Sequence, residues 1–339
     1  MTWAGAKGQT EADMAASLGF KLPQDKLHPA FNALDQALMS RGKNAQGSNG
    51  QPFKLSVANA LWGQVSYPFE QPFLDVLGAN YGAGMRVVDF EKNTGQAIDL
   101  INGWVSAETA GKIKKLVDNG SVDGSTRLVL TNAIYFNAAW ATQFDPQTTK
   151  DGAFHKLAGG DVTVPMMHGY QETEYAVGAG YQVVVLPYDG YELSMIAVVL
   201  DAGMFDSFES SFDGAALDGA LAAMKSYGVS ITMPRFKFDG AFSLKDTLSK
   251  MGMSVAFGDG ADFSGISAKG GLVIQDVVHK SFVGVNETGT EAAAATAVVA
   301  GETSAPEPAS ITLDRPFLFV IRDNATKSIL FVGRVEDPS

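Results

Sequence analysis

Four histidines and a scatter of serines are the residues of this 339-residue chain that could do metal, acid–base or nucleophilic chemistry, and their spacing argues against all three. His28, His155, His168 and His279 stand far apart, and no pair has the HExxH separation that sets two imidazoles on one helix face. No cysteine is present to complete a tetrahedral set, so a metal site is not expected. There is no G-x-S-x-G elbow. Ser40-Arg-Gly-Lys43 has S-x-x-K spacing, but it runs into a polar Gly/Asn/Ser stretch without companion motifs and reads as a chance match. Lys112, Lys114 and Lys115 form a small basic cluster, which a solvated helix end or turn explains better than a polyanion site in a chain of net charge −12. No cofactor is implied, and enzymatic catalysis has no visible machinery.

Two polar residues stand out because of the strands that carry them. In Arg127–Phe136 the residues Leu128, Leu130, Asn132, Ile134 and Phe136 share one face, and in Val277–Val285 the set Val277, His279, Ser281, Val283 and Val285 does the same. Asn132 and His279 are thus expected on apolar faces, where buried polar groups find partners. They bond each other across neighbouring strands, or each is satisfied separately by backbone or water; pattern alone leaves both open.

The third feature is Glu287–Ser304, ETGTEAAAATAVVAGETS. At period two, Thr290, Ala292, Ala294, Thr296, Val298 and Ala300 share a face, with Glu291 on the other. Alanine favours helix, but the β-branched residues and flanking glycines weaken one, and Pro306 and Pro308 stop it. The segment suits a loop in one state and a strand in another.

The elements that must position these residues follow from composition and periodicity. Hydrophobic residues make up 46%, with 37 glycines and 13 prolines, which describes a globular chain rich in strand turns. The acidic balance disfavours nucleic-acid and anionic-membrane binding, and no 18-residue apolar run could span a bilayer. Thr10 reads as an N-cap, and Pro29 as the first turn of a second helix carrying Phe31, Leu34 and Leu38. Further helices are predicted over Phe73–Tyr81, Ala97–Val105, Ala215–Lys225 and Ser243–Gly252. Strands are predicted at Leu55–Trp62, Met85–Phe90, Tyr181–Pro187, Leu193–Leu200, Val229–Phe238, Ile311–Ile321 and Ser328–Val335. Strands outnumber any regular βα alternation, so the class is α+β.

With these residues in place a family resemblance becomes specific. NETGTEAAAATAVV after HKSFVGV, followed by DRPFLFVIRDNATKSILFVGRVEDP, resembles the hinge, reactive loop and carboxyl-terminal strands of the serpin family in its bacterial-type form. INGWVSAETAGKIKKLV at Ile101–Val117, LTNAIYFNAAW at Leu130–Trp140 and MGMSVAFGDGADFSGIS at Met251–Ser267 agree in order and spacing, so the resemblance covers essentially the whole chain.

The resemblance implies one serpin domain over residues 1–339, with three β-sheets surrounded by helices and an exposed reactive loop at about 287–314. It implies an inhibitor of serine-type endopeptidases that works as a suicide substrate: cleavage in the loop, trapping of the acyl-enzyme, and insertion of the loop into the central sheet. Its hinge would comprise Glu287, Gly289, Thr290, Ala292, Ala293, Ala294, Ala295 and Thr296; Asn132 and His279 would form the shutter, and Trp140 would lie under the top of the sheet. Counting the family distance from Glu287 puts the attacked bond at Thr303–Ser304, with Glu302–Thr303 the alternative. No Lys or Arg occurs between Thr290 and Asp314, so an elastase-like or subtilisin-like target fits better than a trypsin-like one. The family further implies a secreted, extracellular monomer, although Met1-Thr-Trp-Ala-Gly-Ala-Lys shows no signal peptide. Thr2–Thr10 resembles the end of the family's second helix and the turn after it, so the first helix and most of the second are expected to be absent. That leaves an alternative: a non-inhibitory or truncation-inactivated serpin acting only as substrate, carrier or chaperone.

Overall fold

A computed structural model describes residues 1–82, 84–290 and 308–339. Helix α1 (Gly8–Ser17) starts ahead of Thr10, which is therefore not its cap: Thr10 is buried, and its Oγ1 accepts a hydrogen bond from Asp262 N at 2.8 Å. Helix α2 (Gln24–Met39) also starts early, so Pro29 lies inside it rather than in the first turn. Its start is set by the Pro23 carbonyl, which accepts from Lys26 and Leu27 N, and by the Gln24 amide, which donates to Trp3 O and Glu11 Oε1. Strand β1 (Lys54–Gln64), α3 (Gln71–Asn80) and β2 (Met85–Val88) follow the predicted segments. Helix α4 (Phe90–Glu108) begins before the predicted Ala97, because the Asp89 carboxylate caps Lys92 N at 3.1 Å and the chain bends at Asn93 without leaving the helix axis for good.

Next come β3 (Leu128–Ala139), β4 (Lys150–His155), β5 (Asp161–Gly178), β6 (Tyr181–Pro187), β7 (Leu193–Leu200), α5 (Phe205–Glu209) and α6 (Gly214–Ala222). The predicted strand Val229–Phe238 is two strands, β8 (Lys225–Pro234) and β9 (Phe236–Ser243), parted at Arg235. The helix predicted over Ser243–Gly252 is reduced to α7 (Lys245–Leu248) and a wide turn, since Gly252 has φ 111°. After it come β10 (Val277–Asn286) and β11 (Gly289–Thr290). Pro316 divides the predicted Ile311–Ile321 into β12 (Pro308–Thr312) and β13 (Phe317–Asp323), and β14 (Ile329–Val335) ends the fold.

The chain forms two compact units. The first contains Met1–Ser40, Leu55–Tyr135 and Asp239–Phe282. Here β1 pairs with β2 in parallel, and Leu130–Tyr135 of β3 pair in parallel with Val277–Phe282 of β10. Because side chains alternate along β3, its two faces meet different layers. Val129 and Ala133 pack with Ile98, Ile101 and Val105 of α4, while Leu128 joins Trp3, Met14, Phe73 and Leu77.

The second unit contains Arg41–Lys54, Phe136–Phe238 and Val283–Ser339. Its eight-stranded sheet runs β12-β8-β5-β6-β7-β13-β14, with β4 also on β5. The long β5 serves both halves, pairing with β8 along Met166–Tyr175 and with β6 along Tyr175–Gly178, so two of the expected sheets are hydrogen-bonded into one. All eight residues of β7 are buried, and Leu217 and Ala220 of α6 join its core. Burial of each such Val, Leu or Ile is worth roughly 1.5–3 kcal/mol. Among the described residues no helix is long and apolar enough to cross a membrane.

Candidate functional site

The site is built on β11, two residues long. Gly289 lies opposite Ala139 and Thr290 opposite Ala138 of β3, while Asn286 and Val285 of β10 flank the other side. Both edges of β11 are therefore paired. Gly289 is needed because a Cβ there would sit 2.0 Å from Ala138 O and 2.8 Å from Ala139 Cα, which backbone cannot yield.

Thr290 is fully buried, and its Oγ1 lies 2.6 Å from the hydroxyl of Tyr188, itself fully buried. Burial drives the Tyr188 phenol far above its usual pKa, with the Thr290 hydrogen bond pulling weakly the other way, so it stays neutral. The Tyr188 ring stacks on Trp140 with centroids 4.6 Å apart and meets Phe136 edge-on at 4.8 Å. Trp140 in turn donates from Nε1 to Asn286 O at 2.8 Å and from its backbone N to Thr288 O at 2.9 Å. Its role is thus both packing and anchoring: it fixes the turn between β10 and β11.

Glu287, in that turn, is only 3% exposed. Its Oε1 accepts from Arg235 Nε at 2.8 Å, from Arg235 Nη2 at 2.5 Å and from Thr149 Oγ1 at 2.5 Å, and its carbonyl accepts from Phe144 N. Burial alone would raise its pKa; the hydrogen bonds from Arg235 and Thr149 and the guanidinium charge together outweigh it and hold the carboxyl below the usual glutamate value. Arg235, at the break between β8 and β9, is thereby tied to the start of the loop.

Along β3, Asn132 stands directly opposite His279 of β10. His279 Nδ1 and Asn132 Oδ1 are 2.5 Å apart, which makes the imidazole the donor, and Asn132 Nδ2 donates onward to Asn59 Oδ1 at 2.7 Å. A polar chain Asn59–Asn132–His279 thus crosses three strands. Burial lowers the His279 pKa, and the Phe242 ring stacks over its imidazole at 6.3 Å. One expectation needs correction: Asn132 was placed among buried neighbours, yet it, Leu130, Ile134 and His279 are only partly buried. The deeper face of β3 is the other one, Val129, Thr131, Ala133 and Tyr135, because α4 covers it.

The expected residues Glu287, Gly289, Thr290 and Trp140 are brought together, and Asn132 and His279 are joined to each other. Ala292, Ala293, Ala294, Ala295, Thr296, Glu302, Thr303 and Ser304 lie outside the described residues. Arg235, Thr149 and Tyr188 were not foreseen, and neither was Asn59. Tyr188 had a faint signal, as a bulky hydroxyl directly after the apolar run of β6; the other three had none. Among the described residues no group of three or more His, Cys, Asp or Glu could hold a metal.

Known proteins share this architecture. The family model described as Serpin (serine protease inhibitor) matches residues 1–338. An uncharacterised serpin-like protein of Thermococcus kodakarensis is 38% identical over all of this chain and 78% of its own length. The leukocyte elastase inhibitor of Xenopus laevis is 37% identical over all of this chain and 89% of its own. The crystal structure of the thermophilic serpin tengpin in its native state superposes with a TM-score of 0.87 at 28% identity, covering 99% of this chain and 84% of that one.

Proposed function

Since this chain belongs to the serpin family, whose members include protease inhibitors, we propose that it arrests a serine-type endopeptidase as a suicide substrate. The observation that carries the reading is β11: Gly289 and Thr290 already occupy strand positions against Ala138 and Ala139 of β3. A loop continuing from Thr290 would next have to replace the direct pairing of Leu130–Tyr135 with Val277–Phe282, parting Asn132 from His279.

The chemistry belongs to the protease. Its serine attacks the Thr303 carbonyl, the Thr303–Ser304 bond breaks, the new amine on Ser304 leaves with the carboxyl-terminal strands, and Thr303 stays as an acyl ester. Cleavage at Glu302–Thr303 is the one-residue variant. Insertion then carries the ester with the loop. Thr290–Thr303 spans on the order of 45 Å when extended at ~3.3 Å per residue. Ala292, Ala293, Ala294 and Ala295 are small enough to enter between packed strands.

Each inserted residue gains up to two hydrogen bonds at roughly 0.5–1.5 kcal/mol, against about 1–2 kcal/mol of ordering. These nearly cancel, so the uncleaved sheet must itself lie above the inserted state and be kinetically held there. The absence of Lys and Arg between Thr290 and Asp314, together with an elastase inhibitor among the relatives, supports an elastase-like or subtilisin-like target.

The test is a titration of residual protease activity against added protein, with mass spectrometry of the released peptide. The reading expects stoichiometric loss of elastase-like activity and a peptide beginning at Ser304. Turnover of the chain with no loss of activity would defeat it.

A further inference from the structure

Two of the chain's Asn-Gly pairs lie in α4 and in the return from α4 to β3: Asn102-Gly103 and Asn119-Gly120. In such a pair a backbone amide can reach the side-chain carbonyl carbon of the residue before it, because glycine has no Cβ to obstruct the approach. The fold treats the two differently. Asn102 lies inside α4, where the Gly103 N–H points along the helix axis. Its side-chain amide is a clasp: Oδ1 accepts from Leu116 N at 2.7 Å and from Val117 N at 3.0 Å, and Nδ2 donates to Val117 O at 2.9 Å. A side chain held at both ends is not free to turn onto Gly103.

Asn119 is exposed in the turn from Asp118 to Val122. Ser121 N and Val122 N donate to Asp118 O at 3.1 and 3.0 Å, and Asp118 N donates to Ser121 Oγ at 2.9 Å. None of these bonds uses the Asn119 side chain. A further one runs from Gly120 N to Asp118 Oδ1 at 2.9 Å, which puts a nucleophile and a base in contact. That bond, helped by the Lys115 charge and opposed by some desolvation, holds the Asp118 carboxyl below the usual aspartate value, so it stays ionised. Lys115 Nζ lies 3.6 Å from the other oxygen, Oδ2, and leaves Oδ1 to Gly120. Lys280 of β10 donates to Lys115 O and pairs with Asp239 instead.

We propose that Asn119 is a site of self-modification, deamidating with Asp118 as its base. Gly120 N bonds to Asn119 Cγ while its proton passes to Asp118 Oδ1; the Cγ–Nδ2 bond then breaks, and Nδ2 takes that proton and leaves as ammonia. Water opens the resulting succinimide at either carbonyl, giving aspartate or isoaspartate. The product places a second negative charge beside Asp118. The isoaspartate form also lengthens the backbone by one carbon between Val117 and Val122, both buried in the core that holds Ile98, Ile101 and Val105 of α4. With those two anchors fixed, the turn bonds from Ser121 N and Val122 N to Asp118 O weaken.

The experiment is peptide mapping by mass spectrometry of the full chain aged in buffer for weeks, with the mass gain of O in place of NH read separately at Asn102 and Asn119. Asn119 converts at least about tenfold faster than Asn102, and its rate changes less than about twofold between about pH 6 and 7, where hydroxide-driven deamidation rises about tenfold. Asp118→Asn, which can still accept from Gly120 N but cannot take its proton, slows conversion at Asn119 at least about tenfold. Should that variant fail to fold, the pH profile of the parent decides. In the converted chain the Ser121 and Val122 amides exchange hydrogen faster. Equal conversion of Asn102 and Asn119, a rate rising about tenfold over that pH interval, parental conversion in Asp118→Asn, or unchanged exchange would overturn the assignment.

Discussion

Replacing Thr290 by Arg strikes the second residue of β11. Thr290 is fully buried, with its hydroxyl 2.6 Å from the neutral Tyr188 phenol and its backbone paired on both sides. A guanidinium there loses that hydrogen bond, about 1 kcal/mol, and must be taken out of water, so the combined cost is roughly 3–5 kcal/mol. The guanidinium then keeps β11 out of the uncleaved sheet, and if insertion after cleavage carries the cost of burying it in its barrier, insertion slows by roughly 10²–10⁴-fold, each 1.36 kcal/mol being a factor of ten. Hydrolysis of the acyl-enzyme then wins the competition. The readout is the number of chain molecules consumed per protease molecule arrested, which should rise from near one to on the order of 100. Thr290→Ser, which keeps the hydroxyl, should stay close to the parent. An unchanged stoichiometry in Thr290→Arg would show that β11 does not have to form, and the insertion argument would fail with it.

Other consequences follow from the same contacts. Arg235→Ala leaves the buried Glu287 carboxylate with only Thr149 as side-chain partner; because the Arg235 side chain is 44% exposed, the loss is discounted to about 2 kcal/mol, seen as a lower midpoint in denaturant. Gly289→Ala places a methyl against Ala138 O, so β11 should leave the sheet and hydrogen exchange at Gly289 and Thr290 should accelerate, whereas unaltered exchange would contradict the pairing. Acid should destabilise the fold: His279 has a folded pKa below the unfolded 6.5, so the unfolded chain binds more protons as pH falls through that value and stability declines toward the lower folded pKa. His28, pushed down to about 4 by burial, adds with the same sign, so His279→Gln should flatten the decline between pH 6.5 and 4 only in part.

How far the sequence speaks for the structure depends on how local the cause is. Strands β6 and β7 end where the sequence places them, because continuous apolar runs meet Gly and Asp turn residues at Asp189-Gly190 and Asp201-Ala-Gly203. Asn132 and His279 could be singled out by strand period, since a polar side chain in an alternating apolar set needs a partner. Strands β4 and β5 gave no such signal, because their outward residues are polar and a single buried row marks them. The strand break at Arg235 follows Pro234, but Arg235's partner Glu287 is 52 residues away. Pairing over such a distance leaves no periodic trace in one sequence. The cap expected at Thr10 failed for a related reason: a polar residue at a plausible helix start was instead claimed by a contact with Asp262.

The most direct test of the account is a denaturing gel of the chain incubated with an elastase-like serine protease. The account predicts a band at the sum of protease and cleaved chain that survives denaturant and reducing agent, because the ester at Thr303 is trapped as the loop continues from Thr290 into the sheet. Complete cleavage of the loop by such proteases with no covalent band would contradict it.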